Sequence, residues 1–125
     1  MNNNNLFDTE DLTGSFDTND IEQNKAISAV AYIPILFIIP MLATPSPYAK
    51  FHANQGLILT LTSIILNIAS RILGFILAWV PILPTLVNAV FSLTSLALLI
   101  IGIINAVQGK AKKLPIVGGL LDIIH

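Results

Sequence analysis

The sequence has no cysteine, one tryptophan and little charge, with only 10% of its 125 residues being Asp, Glu, Lys or Arg. Without cysteine there can be no disulfide, thiolate metal ligand or cysteine nucleophile. A net charge of -1 leaves no basic excess to hold a nucleic-acid backbone, so no nucleic-acid partner is expected. Roughly a quarter of a soluble domain of this length is charged, which keeps its surface wet. This chain is not wetted that way. No nucleophile and base pair, phosphate loop or two-carboxylate constellation can be read in it. An enzyme is therefore the least supported class, and no cofactor or metal is expected. What is abundant is apolar surface: 54% hydrophobic residues and a mean hydropathy of +0.80. These values imply a single all-α integral membrane domain.

Residues 1–24 differ from the rest, holding four consecutive Asn (Asn2 to Asn5) and six of the seven acids: Asp8, Glu10, Asp11, Asp17, Asp20 and Glu22. Such a segment buries too little apolar surface to offset the entropy of ordering it, so it reads as a disordered acidic tail. Its scattered Leu6, Phe7, Leu12 and Phe16 leave room for a turn that folds on a partner. The acidic start also argues against a cleavable signal.

The membrane domain, 25–125, is expected to cross three times. The run 26–44 has no charge and, at 1.5 Å per residue, roughly matches a 30 Å hydrocarbon core, with Pro34 and Pro40 as kinks. After a turn, Ser46 as N-cap and Pro47 at the first helical position start a second helix, which spans about 55–79. From Ile72 to Gly109 there is no charge for about 57 Å of helical length, nearly two core thicknesses. The chain must fold back at Pro81 and Pro84, beside Trp79, and a third span runs over about 85–107. Residues 110–125 read as a short interfacial segment, on the membrane surface or folded under the bundle. The expected fold is a bundle of three transmembrane helices with a disordered acidic tail. Lys25 alone opposes Lys50, Lys110, Lys112 and Lys113, which predicts the amino end outside and the carboxyl end in the cytoplasm of a cell-membrane protein.

Polar residues inside the apolar runs carry the functional signal. Thr60, Ser63, Asn67, Ser70, Arg71 and Gly74 fall on one stripe of the second helix, and Asn88, Ser92, Ser95, Gly102 and Ala106 on one of the third. Folding about Pro81 pairs residues whose numbers sum to roughly 162, placing Ser70 and Arg71 beside Ser92, Asn67 near Ser95 and Thr60 near Gly102. These stripes are either helix-helix glue, the favoured reading, or a polar path for a solute or an extended peptide. Arg71 is the one charge deep in a span, and it either snorkels to outer-face phosphates or meets a substrate or partner. His52 reads as an interfacial histidine that hydrogen-bonds locally, in preference to a titrating switch or metal ligand.

Two short motifs point to a family. At Tyr48 to Gly56 and Asn105 to Pro115 the chain resembles small bacterial membrane proteins similar to the small polytopic channel-like subunit of the chloroplast inner-envelope protein import translocon. Phe51, His52, Gln55 and Gly56 match its Phe-His-x-x-Gln-Gly at the start of a span. Gly109, Lys110, Leu114 and Pro115 match its Gly-Lys-x-x-x-(Ile/Leu)-Pro after the last span. The plastid relatives have four spans, one more than expected here. The resemblance covers roughly 26–125, implies a membrane-embedded assembly or transport subunit, and supplies no catalytic residue. Membrane lipids, other membrane subunits or further copies of the chain are the expected partners. Two alternatives stand beside this reading: an immunity or regulatory protein acting through its acidic tail, and a homo-oligomeric pore.

Overall fold

The computed structural model describes residues 11–117 and 119. Their regular structure is helical: a 3-10 turn at Thr13–Ser15, then α1 (Thr18–Gln23), α2 (Lys25–Val30), α3 (Ile38–Ala43), α4 (Pro47–Ile76) and α5 (Ile82–Val107). An isolated antiparallel bridge joins Asp11 to Lys112. The long α4–α5 hairpin is the scaffold, and the shorter elements gather at the end where α4 begins and α5 stops.

Both long helices have clear chemical boundaries. Ser46 Oγ accepts from the Ala49 amide at 3.1 Å, and Pro47 at the first helical position gives up only an amide that has no partner in the helix. Pro81 and Pro84 deny donors to a continued helix, so α4 stops at Ile76 and α5 starts at Ile82, with Pro84 harmless in its first turn. At the other end of α5, Gly109 adopts φ +76°. Its amide donates to Ala106 O at 3.3 Å, and the Lys110 amide to Asn105 O at 2.8 Å. This pair is a Schellman closure, which needs a residue tolerant of the left-handed region.

Among the described residues two helices, α4 and α5, are long and apolar enough to cross a membrane, and not the expected three. The run 26–44 is not a span. Pro34 has no amide to continue α2, and its ring would meet the Val30 carbonyl. Ile35 then takes φ +73°, and its amide donates to Thr60 Oγ1 at 3.2 Å. From there the chain returns through α3 to Ser46. Thr60 lies roughly 20 Å along α4 from Pro47 by helical rise, so the segment dips beside the hairpin and comes back. Its inner wall is close-packed. A side chain at Gly56 would fall 2.0 Å from Ala31 O, and one at Gly102 would fall 2.2 Å from the Tyr32 ring.

The acidic tail also departs from expectation over the residues described. Residues 11–24 hold the 3-10 turn and α1 and pack on the hairpin end, with buried Ile21 joining Tyr48 and Ala111, and Leu12, Phe16 and Phe51 packed around them. The Leu12 amide donates to Ala111 O, and the Ala111 amide to Thr13 Oγ1, each at 2.9 Å. These bonds bring the described parts of the amino and carboxyl ends together at one end of the hairpin, whereas three spans would have set them at opposite ends. Residues 110–117 fold under the bundle, where Leu114 is buried in the core with Ala31, Tyr32, Leu59, Leu98 and Ala106. Residues 1–10, 118 and 120–125, including the Asn run and His125, lie outside the described residues.

Candidate functional site

The two family-like motifs meet. His52 Nε2 donates to Lys110 O at 3.0 Å, and Gln55 Oε1 accepts from the Leu114 amide at 2.8 Å. His52 is fully buried, and its Nδ1 faces the Tyr32 hydroxyl, which donates to it. Those contacts assign the neutral tautomer with its proton on Nε2. Both ring nitrogens are thereby engaged within the chain, so the ring serves as a tie between α4, the dipping segment and the carboxyl-end loop. Phe51 lies edge-on to His52 and to Phe16, with centroids at 5.1 and 5.7 Å. Pro115 follows buried Leu114, and its carbonyl accepts from the Val117 amide at 2.7 Å. Gly56, Gly109 and Lys110 act through backbone: close approach for Gly56, chain reversal for Gly109 and an accepting carbonyl for Lys110.

Three residues in this knot were not singled out from the sequence. Tyr32 and Tyr48 are both buried. The Tyr48 hydroxyl donates to Ala106 O at 3.0 Å, a second bond to a carbonyl at the end of α5. A phenol in an uncharged apolar run needs a hydrogen-bond partner, and that was the signal Tyr32 offered. Asp20 accepts from the Tyr48 amide at 2.9 Å, placing a carboxylate at the α4 N-terminus, where the helix dipole favours it. Nothing in the local sequence pairs Asp20 with residue 48.

Further along the hairpin the polar stripes face each other, as the fold-back arithmetic predicts. Ser70 and Ser92, and Asn67 and Ser95, line one cavity of about 340 Å3 with Ser63, Asn88 and apolar Tyr32, Pro34, Leu59, Leu66, Phe91, Leu96 and Leu99. At this level the stripes border a space. Packing is tighter at the head end, where Tyr32 fills the place opposite Gly102 and Thr60 takes the Ile35 amide. Arg71 is exposed and donates from Nε to Asn67 Oδ1 at 3.0 Å, one turn back on its own helix. It therefore stands at the groove's rim through Asn67, and not on Ser92 as expected. Among the described residues, Ser63, Ser70, Asn88, Ser92 and Ser95 make no side-chain hydrogen bond. Thr94, outside the groove, instead donates to Val90 O on its own helix at 2.9 Å. No set of three metal-ligating side chains occurs among the described residues.

Comparison with protein-family models, with characterised proteins and with solved structures gives no match. No family is therefore assigned to the chain.

Proposed function

We propose that this chain is a non-enzymatic integral membrane protein whose α4–α5 hairpin crosses the bilayer and acts as a subunit that holds a second component in its lateral groove. The observation that carries this reading is the groove itself: Ser63, Ser70, Asn88, Ser92 and Ser95, whose side chains make no hydrogen bond among the described residues, set between helices whose outer faces are apolar. Polar groups facing hydrocarbon are costly unless something satisfies them. Support for the membrane placement comes from Leu42, Ile65, Phe75, Trp79 and Leu93, all large and strongly exposed. Lys25, Lys50, Lys110, Lys112 and Lys113 all belong to the head end, whereas the 77–81 turn has no charge. The excess of positive charge favours a cytoplasmic head, with both described ends. The engagement of residues 11–24 within the chain itself favours this reading over a tail that recruits partners.

Single-cysteine labelling and photocrosslinking test it. Ala78→Cys reacts with an impermeant maleimide in intact cells, and Ser15→Cys only after permeabilisation. A photoreactive residue at position 92 gives a discrete adduct in intact membranes, absent from the same probe at outward-facing position 93. Release of the chain by alkaline carbonate, or identical products at 92 and 93, would remove the proposal.

A further inference from the structure

We infer that the groove between α4 and α5 binds one glycerophospholipid, with its phosphate on Arg71 and its ester carbonyls on the hydroxyl and amide donors of the groove. This rests on the membrane placement above and names the occupant. Ser70 is 8% exposed, lines the groove and makes no side-chain hydrogen bond among the described residues. Its hydroxyl opens onto the groove and is free to bond to what enters it.

The lining selects for acceptors. Asn67 Oδ1 is occupied by Arg71 Nε, which leaves the Asn67 amide hydrogens to donate. Around them stand the donors of Ser70, Asn88, Ser92 and Ser95, and among the described residues no carboxylate lines the space. No acid occurs anywhere in α4 or α5. Arg71 keeps guanidinium hydrogens beyond the one given to Asn67, and its planar fork fits a phosphate better than it fits any group these helices offer.

Depth and shape agree with a lipid. Arg71 lies roughly 7.5 Å by helical rise from the end of α4, within snorkelling reach of the headgroup layer. Ser70 and Ser92 follow at the depth of the glycerol esters. The apolar wall of Leu66, Leu96 and Leu99 then continues towards Tyr32 and suits one acyl chain. A volume of about 340 Å3 is too small for a helix of about 10–12 Å diameter and falls in the range of small-molecule sites.

The test uses the full chain in dodecyl maltoside, a detergent without phosphate, with a phosphatidylglycerol carrying an acyl-chain diazirine as probe. Labelling is expected on the peptide holding Leu96 and Leu99, and unlabelled phosphatidylglycerol should compete with it. Diacylglycerol with the same chains, and inorganic phosphate, should not. Arg71→Gln should weaken labelling by about tenfold or more, as expected for a charge-assisted hydrogen bond, with Arg71→Lys between. Ser70→Leu fills the groove and should abolish labelling. Circular dichroism reports folding, and exposed Arg71 carries the test if Ser70→Leu does not fold. Unchanged labelling in Arg71→Gln overturns the inference, as does equal competition by diacylglycerol, which would mean a neutral amphiphile, or by inorganic phosphate, which would mean a free anion. Carbonate extraction of the unaltered chain from membranes separately reports any failure of the membrane reading.

Discussion

His52 of α4 donates to the backbone carbonyl of Lys110, 58 residues later, while its other ring nitrogen accepts from Tyr32. One side chain thus links the dipping segment, the scaffold and the carboxyl-end loop. Replacing it by Phe keeps the ring volume but leaves the Tyr32 hydroxyl and the Lys110 carbonyl without this partner. Each buried group so orphaned costs about 1–3 kcal/mol. His52→Phe should lower the melting temperature of the detergent-solubilised protein by several degrees, and Tyr32→Phe by less, since it orphans only the ring nitrogen.

Gly102 faces the Tyr32 ring, and an added Cβ would lie 2.2 Å from it. Overpacking of this kind costs about 1–3 kcal/mol or more. Gly102→Ala should therefore destabilise the chain, and Tyr32→Ala should recover part of that loss despite its own cost. A double-mutant cycle read by thermal unfolding gives a coupling energy that differs clearly from zero if the two residues touch. Additive effects would show that the dipping segment does not sit between the helices.

The hairpin and its polar stripes were legible because a long uncharged run broken by Pro81 and Pro84 has few ways to fold. That Ser70, Ser92, Asn67 and Ser95 line one cavity follows from helical rise alone. The fate of 26–44 was not legible. A proline in an apolar run reads as a kink, and whether the chain bends or reverses is decided by Thr60 taking the Ile35 amide and by the close approach at Gly56. Tertiary contacts also override composition in 11–24, where Phe16 packs edge-on against Tyr48 and Phe51. The six acids of residues 1–24, set among polar residues, read as disorder because Tyr48 and Phe51 lie far away in sequence.

Asp11 gives a pH-dependent contribution at this amino-end contact. The Thr13 hydroxyl, followed by the Thr13 amide, donates to its carboxylate and holds its pKa below the ordinary value of 3.8, against a smaller opposing effect of burial. A depressed carboxylate pKa contributes stability above the unfolded value and loses it as pH falls through the folded one. Docking of residues 11–16 on Ala111 should thus be intact at neutral pH and weaken only below about pH 4. Carboxyl chemical shifts of Asp11 in a pH titration should show a midpoint below 3.8. Thr13→Val should move that midpoint upward and also remove the acceptor for the Ala111 amide.

Asp20 separates a folded tail from a dispensable one. Its carboxylate accepts the Tyr48 amide at the start of α4 and is itself held by the Asn24 side chain at 3.1 Å. Capping of this kind contributes about 1 kcal/mol, with a further share from the helix dipole. Asp20→Ala should lower stability by roughly that amount, and Asp20→Asn by less, because the amide oxygen still accepts while the charge is gone. Removal of residues 1–24 should cost more than Asp20→Ala, since it also strips Ile21, Leu12 and Phe16 from Tyr48 and Ala111 and exposes that apolar surface. Thermal unfolding of the four proteins in one detergent gives the order: unaltered, Asp20→Asn, Asp20→Ala, truncated. A truncated chain as stable as the full one would mean that the tail does not rest on the hairpin, and the same-side placement of the two ends would fall with it.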